Sequence, residues 1–134
     1  MKLFDNRFTI LEKGLDAYNK RAEAIANNIA NVNTPNYKRK DVEFEKYLNT
    51  ALGENKALEG TTTNSKHIKI NTVSLNDVKP VEVVEKNTIM RNDKNNVDIE
   101  KEKVEQAKNN IRYQTAITRI SQDFSLLKSV IKSK

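Results

Sequence analysis

Apolar positions in the first quarter of the chain recur at intervals that alternate between three and four residues. This spacing is typical of a helix that packs one face along another helix. The seam covers about four heptads, which corresponds to roughly 45 Å at 1.5 Å per residue. Its members are Phe4, Phe8, Leu11, Leu15, Tyr18, Ala22, Ile25, Ile29 and Val32.

The seam runs directly into an asparagine-rich segment that contains Pro35. Proline disfavours the α region for the residue before it, so Thr34 is expected to be extended. Asn31 and Asn33 tolerate the left-handed conformation that often ends helices. The sequence therefore predicts that the first helix ends near Asn31 to Asn33 and that a fixed turn follows.

The last third of the chain predicts a second long helix, because neither proline nor glycine occurs in residues 97–134. Asp98 can cap its N-terminus, and the acidic start and basic end suit the helix dipole. Its apolar stripe changes phase near Gln114. The stripe consists of Val104, Ala107, Ile111, Tyr113, Ile117, Ile120, Phe124, Leu127 and Ile131.

The middle of the chain carries weaker signals. Residues 42–48 predict a short helix or an extended arm, and residues 53–65 predict a loop. The β-branched stretches 67–73 and 81–84 predict two short strands or extended stretches.

Together these elements predict a mainly α fold, in which long N- and C-terminal helices pair as a coiled-coil-like hairpin. Residues 1–33 and 97–134 are expected to form the helical assembly domain. Residues 34–52 are expected to form a turn and an arm, and residues 53–96 a small irregular or β lobe.

The composition points to stability gained by association. Only 37% of the residues are hydrophobic, 31% are charged, and the mean hydropathy is -0.76. With no cysteine and one histidine, a thiolate metal site and a cluster of histidine ligands are excluded, and the three glycines do not form a glycine-rich phosphate loop. The sequence therefore predicts no enzyme, no cofactor and no small-molecule substrate.

The net charge of +6 permits binding to nucleic acid but does not require it. The stretch 37–40 combines an aromatic residue with three cations, but acidic residues follow it at once. No apolar run is long enough for a membrane span, and the polar N-terminus lacks the pattern of a Sec-type signal.

A segment near the end of the first helix resembles the N-terminal signature of the axial proteins of the bacterial flagellum, A-x-N-I-A-N-x-x-T-P-x-Y. The matching residues are Ala26, Asn28, Ile29, Ala30, Asn31, Thr34, Pro35 and Tyr37. The stretch 91–102 is similar to the R-x-D-G-N-N-V-D-x-x-x-E segment of the shortest rod members of that family. Lys94 replaces the glycine of that pattern, and Asn95 beside it is expected to accept a positive φ.

The resemblance implies a structural component of the proximal rod, which assembles with copies of itself and with other rod proteins. It also implies contact with the protein that joins the rod to the membrane ring and export gate. The rod would transmit torque, enclose the export channel and support motility, and the chain would leave the cell through the flagellar type III apparatus without a cleaved signal peptide. Within such an assembly, Asn28 and Asn31 are hypothesised to form intersubunit hydrogen bonds.

Two other functions stay open at this point. One is a basic helical module that binds nucleic acid, and the other is a chaperone or regulator of flagellar export. A well-folded monomer with strongly salt-dependent DNA affinity would favour the first.

Overall fold

A computed structural model describes residues 2–52, 75–86 and 92–132 of the chain. The predicted loop at 53–65 and the predicted strand at 67–73 lie outside these residues. The described elements are helix α1 (Lys2–Ala30), strand β1 (Lys40–Glu43), helix α2 (Glu45–Ala51), a single 3₁₀ turn (Leu75–Asp77), strand β2 (Val81–Val84) and helix α3 (Ile99–Lys132).

Helices α1 and α3 pair antiparallel along their length. Arg7, near the start of α1, contacts Asp123 near the end of α3, and Asn28, near the end of α1, contacts Glu102 near the start of α3. We call the end with Asn28 and Glu102 the closed end of the hairpin. The predicted fold class, mainly α with paired terminal helices and a small β middle region, is confirmed.

The first helix ends at Ala30, one residue before the predicted range. The side-chain amide of Asn31 donates to the carbonyl oxygen of Asn27 at 2.8 Å, which caps the end of the helix. The positive φ of this turn, 60°, belongs to Asn36 and not to Asn31 or Asn33. The turn therefore reverses direction after the proline.

The start of α3 follows the prediction. The carboxylate of Asp98 accepts hydrogen bonds from the backbone N–H groups of Glu100 at 2.9 Å and Lys101 at 3.4 Å. This is an N-cap, which satisfies donors that have no partner within the helix.

Strands β1 and β2 form an antiparallel two-stranded ribbon in which Lys40 lies opposite Val84 and Glu43 opposite Val81. The strand predicted at 81–84 is therefore confirmed. The segment predicted as a helix or an arm contains β1 followed by α2. The ribbon thus links the segment 34–52 to the segment 53–96.

The main apolar cluster lies where α2 meets α1. Ala17, Phe44 and Val78 are buried together. Tyr47, Leu48 and Ala51 of α2 pack against them. This cluster holds the arm on the side of the hairpin.

The hairpin covers the predicted seams unevenly. Ile25 is buried, and the rings of Phe8 and Phe124 lie 5.2 Å apart between their centroids. The expectation that both seams are covered by pairing is corrected at the exposed positions Ala22, Ile117, Phe124, Leu127 and Ile131. Val104, Ala107 and Ile111 of the α3 stripe are exposed as well. The remaining seam positions with described side chains are half-buried: Phe8, Leu11, Leu15, Tyr18, Ile29, Val32, Tyr113 and Ile120.

The residues of α3 that are buried toward α1 are a different set. They occur every seventh residue, and three of the four are polar. We call this set the inner ladder; it consists of Glu102, Asn109, Ala116 and Asp123. The reason for the correction is that α3 turns this mostly polar ladder, and not its apolar stripe, toward α1.

Among the described residues, no helix is long and apolar enough to cross a membrane.

Candidate assembly site

The two sequence motifs, which lie some 60 residues apart in the chain, meet at the closed end of the hairpin. The side-chain amide of Asn95 lies within 3.1 Å of the carbonyl oxygens of Asn31, Val32 and Thr34. Asn95 is fully buried, and its side-chain oxygen accepts from the N–H of Val97 at 2.8 Å. One side chain of the second motif therefore binds the carbonyl groups of the turn in the first.

Further contacts join the same two segments. The N–H of Asn36 donates to the carbonyl oxygen of Asp93 at 2.9 Å, and the Lys38 ammonium donates to the carbonyl oxygen of Lys94 at 2.9 Å. These contacts hold the residues after the proline against the second motif.

Asn28 occupies the centre of this region and is fully buried. Its amide nitrogen donates to the carbonyl oxygen of Lys40 at 2.7 Å and to the Glu102 carboxylate at 3.0 Å. Its oxygen accepts from the N–H of Lys40 at 2.9 Å and from the hydroxyl of Tyr37 at 3.2 Å. Four polar contacts within the chain leave this side chain no free group.

The hypothesis of intersubunit hydrogen bonds from Asn28 and Asn31 is therefore wrong for Asn28. Asn31 also bonds within the chain, since its oxygen accepts from the Thr34 hydroxyl at 3.2 Å while its amide caps the helix. Both asparagines shape the turn, because an amide that both donates and accepts can substitute for a neighbouring backbone segment.

A buried ion pair joins Arg39, two residues after the first motif, to Glu102, the last residue of the second. The Nε of Arg39 donates to the Glu102 carboxylate at 2.6 Å, and neither side chain is more than 7% exposed. Arg39 also binds Asp41 at 3.0 Å and Glu85 at 2.7 Å. Burial alone would lower the pKa of Arg39, but hydrogen bonds to Glu102 and Asp41 outweigh it and raise the pKa, so the guanidinium stays charged.

Asn96 completes the region. Its side-chain oxygen accepts from the N–H of Arg39 at 2.6 Å, and its amide donates to the carbonyl oxygen of Glu85 at 2.8 Å. Burial also raises the pKa of Tyr37, whose hydroxyl therefore stays protonated as a donor. We call this connected set the turn lock; it consists of Asn28, Tyr37, Arg39, Asn95, Asn96 and Glu102.

Side chains of α1 also cover the outer edge of β1. Asn28 bonds both backbone groups of Lys40, and Arg21, one heptad earlier, donates to the carbonyl oxygen of Val42 at 2.8 Å. The Arg21 guanidinium also binds Glu45 at 2.7 Å, and this hydrogen bond lowers the pKa of the Glu45 carboxyl. The edge of the ribbon nearest the helix is thus satisfied without a third strand.

The cations of the basic stretch 37–40 all bind groups within the chain. Arg39 is buried, and Lys40 pairs with Glu82 across the ribbon at 2.8 Å. Lys38 reaches the carbonyl oxygen of Lys94. Because these cations bind groups within the chain, the structure gives no support to a phosphate-binding surface here.

The other motif residues lie at the surface. Ala26, Ala30, Thr34 and Pro35 are exposed, and Ile29 is half-buried. The motif therefore has two sides, one that forms the turn lock and one that faces outward. Within the described chain, no group of three or more histidine, cysteine, aspartate or glutamate residues has the arrangement of a metal site.

The position at which the second motif departs from the family pattern takes the strained conformation itself. Lys94 has a φ of 63°, whereas the expectation from sequence placed the positive φ at Asn95. The reason is that Asn95 must turn its side chain inward to bind the turn. The glycine of the family pattern would adopt this φ without a steric cost.

We expect Lys94→Gly to raise the free energy of unfolding by about 1 kcal/mol, because it removes the left-handed strain of a residue with a Cβ atom. Urea denaturation followed by circular dichroism measures the change. Lys101→Gly, at an exposed position in the first turns of α3, is the control and should lower stability by about 1 kcal/mol. A Lys94→Gly protein that is no more stable than the parent would show that the positive φ of Lys94 does not lower the free energy of unfolding.

This arrangement defines the class of protein: a helical structural subunit in which the buried motif residues hold a turn. A family model described as flagella basal body rod protein matches residues 9–38, which cover most of α1 and the turn. The chain is 36% identical to the flagellar basal body rod protein FlgB of Bacillus subtilis over 98% of this chain and 97% of that protein. The chain belongs to the family of flagellar basal body rod proteins.

Other relatives carry the same name. FlgB of Borrelia hermsii is 34% identical over 98% of this chain and the whole of that protein. FlgB of Aquifex aeolicus is 36% identical over 86% of this chain and 84% of that protein. The chain is therefore a component of the basal body rod of the bacterial flagellum, in a family of structural proteins and not of enzymes.

Proposed function

We propose that this chain is a subunit of the proximal rod and acts by assembly. One observation carries the proposal: an apolar stripe on α3 remains exposed although the helix is paired. Ile117, Phe124 and Ile131, which follow one another at seven-residue intervals, are 44%, 58% and 76% exposed. We call these three residues the outer stripe. An exposed apolar row of this length on a helix suits packing against a further helix.

The partners proposed are copies of this chain, other flagellar rod proteins, and the protein that joins the rod to the ring and export gate. Contacts between a stripe on one subunit and a different surface on the next are heterologous, and such contacts build open helical assemblies. The exposed motif residues Ala26, Ala30 and Pro35 provide a second outward surface at the closed end. We propose that 1–33 and 97–134 form the assembly domain.

Within the rod, the proposed role is to transmit torque and to enclose the export channel. Each long helix can contact several neighbours, and the combined contacts resist bending and twisting. The buried turn lock fixes the position of α1 relative to α3. A mechanical load on one helix is therefore transmitted to the other. We propose that the chain reaches this place through the flagellar type III apparatus without a cleaved signal peptide, and that it needs no cofactor.

The test is deletion of the gene in the source bacterium, followed by electron cryotomography of the basal bodies and scoring of swimming. We expect non-motile cells that lack the rod beyond the membrane ring, and restoration by the intact gene. Purified basal bodies from the restored strain should contain the chain. Complete rods and normal swimming without the gene would overturn the proposal, as would a chain that stays in the cytoplasm, which an export chaperone or a nucleic-acid-binding protein would do.

A further inference from the structure

Helix α3 carries two heptad rows that lie side by side. The inner ladder is buried toward α1. Ile117 and Phe124 of the outer stripe each follow a ladder residue by one position, and Ile131 continues the same spacing beyond the last ladder residue. One residue corresponds to about 100° of rotation on an α-helix. The two rows therefore compete for the face that meets α1.

Hydrophobicity alone favours the other orientation. A helix normally turns its apolar row toward its partner and leaves polar residues in water. Here Ile117 and Ile131 are exposed, whereas Asn109 and Asp123 are buried. A different set of interactions must set the rotation of α3.

The polar members of the inner ladder provide these interactions along the whole hairpin. Glu102 accepts from Asn28 and Arg39 at the closed end. The amide of Asn109 donates to the carbonyl oxygen of Tyr18 at 2.9 Å in the middle of α1. Toward the opposite end, the Asp123 carboxylate lies 3.4 Å from the Arg7 guanidinium.

Asn109 indicates that the inner ladder serves the orientation of α3 more than the stability of the fold. Its side-chain oxygen is buried, and no donor among the described residues reaches it. A buried acceptor without a partner lowers stability, and an apolar residue would avoid this loss. A buried asparagine that fixes helix pairing at a cost in stability is well established in coiled coils.

We propose that the inner ladder sets the rotation of α3 about its axis, so that Ile117 and Ile131 of the outer stripe stay exposed for neighbouring rod subunits. Phe124, between them, contacts Phe8 of α1 with one side of its ring and is otherwise exposed. The destination of the outer stripe rests on the proposed function. The rotation itself is a property of the single chain. Asn109 and Asp123 act as positioning residues, and Glu102 does so as part of the turn lock.

The chain has no cysteine, so a single introduced thiol reports which face of α3 is covered. Ala116→Cys places the thiol on the buried ladder position, where maleimide labelling of the isolated full chain should be slow. We expect Asn109→Ala with Asp123→Ala to rotate the helix and raise the labelling rate about tenfold, because opening of the buried face limits the reaction. Gln122→Cys, which is exposed in either orientation, is the matched reporter and should label at an unchanged rate.

A rescue separates rotation from simple loosening. Adding Ile117→Ser and Ile131→Ser removes two of the three members of the competing apolar row, and the labelling rate at position 116 should fall back toward that of the parent. Circular dichroism should show unchanged helix content in each variant. An unchanged rate after removal of the two polar residues would overturn the proposal, and so would a raised rate that the serine substitutions do not reverse. Because the labelling uses the single chain, its failure leaves the rod assignment intact, and failure of the deletion experiment leaves the rotation result intact.

Discussion

Glu102→Gln should lower the free energy of unfolding by about 3 kcal/mol, because it leaves the buried Arg39 guanidinium without its closest carboxylate. The amide group is nearly the same size as the carboxylate, so packing changes little. However, Arg39 and Asn28 each donate a hydrogen bond to one carboxylate oxygen of Glu102. In glutamine one of these oxygens is replaced by an NH₂ group, which is itself a donor and cannot accept. Urea denaturation of the full chain, followed by circular dichroism, measures the loss.

Glu105→Gln is the matched control, one turn further along α3. Glu105 pairs with Lys108 at 2.8 Å near the surface, and the side chain of Lys108 is 54% exposed. Such a pair contributes about 0.5 kcal/mol or less, because water screens it and both side chains lose freedom. Equal losses in the two variants would show that the turn lock contributes no more than a surface pair.

A double-mutant cycle with Arg39→Met assigns the effect to the pair. We expect a coupling energy of about 2 kcal/mol between Arg39 and Glu102, since contacting residues in one network are not additive. The remaining loss belongs to Asn28 and to the other carboxylates around Arg39, which are Asp41 and Glu85. A coupling energy near zero would place the stabilisation elsewhere in the turn lock.

Ile117→Asp with Ile131→Asp should abolish swimming while leaving the single chain folded. Both side chains are exposed in the hairpin, so charging them should change the free energy of unfolding by about 0.5 kcal/mol or less. In an assembled rod the same positions would be covered, and two unpaired carboxylates in an apolar contact would prevent docking. Swimming in soft agar and tomography of basal bodies in the complemented deletion strain measure the outcome.

Gln122→Asp with Ser125→Asp adds the same charge to the same helix, outside the outer stripe. Both positions are exposed, and we expect this strain to swim like the parent. Normal swimming in the stripe variant, with complete rods, would show that the outer stripe is not an assembly surface. Loss of swimming in both variants would assign the effect to charge on α3 in general.

The sequence predicted the main elements because their signals are local. The proline at 35, the cap at Asp98 and the uninterrupted 97–134 stretch act over a few residues, and both helices lie where these signals place them. The short strand Val81–Val84 was also visible as a β-branched run.

The turn lock could not be predicted from these signals because it joins residues that are distant in the chain. From the sequence, Arg39 was one cation of a basic stretch that was expected to be a solvated loop, and Asn95 was a site that could accept a positive φ. The structure places both side chains inside the fold and the positive φ at Lys94. The periodicity of apolar residues describes one helix at a time. It does not identify the residue of another segment with which a given side chain forms a contact. The resemblance to a known family identified both motifs, but not their contact.

The orientation of α3 was missed for a related reason. The apolar stripe was taken as the inward face, since apolar residues are the usual content of a helix seam. A polar row with a spacing of seven was equally visible in the sequence, at Glu102, Asn109 and Asp123. Only the partners on α1 show that this row is the buried one.

The dependence of the turn at Pro35 on Asn95 also affects the order of folding. During synthesis, the carbonyl groups of Asn31, Val32 and Thr34 exist long before the amide that binds them in the native chain. Contacts between residues so far apart in sequence form slowly, because the intervening chain must first be closed into a loop. The N-terminal signature therefore reaches its native shape only after nearly three quarters of the chain has been made, and a chain truncated before Asn95 carries the signature without the turn that it specifies.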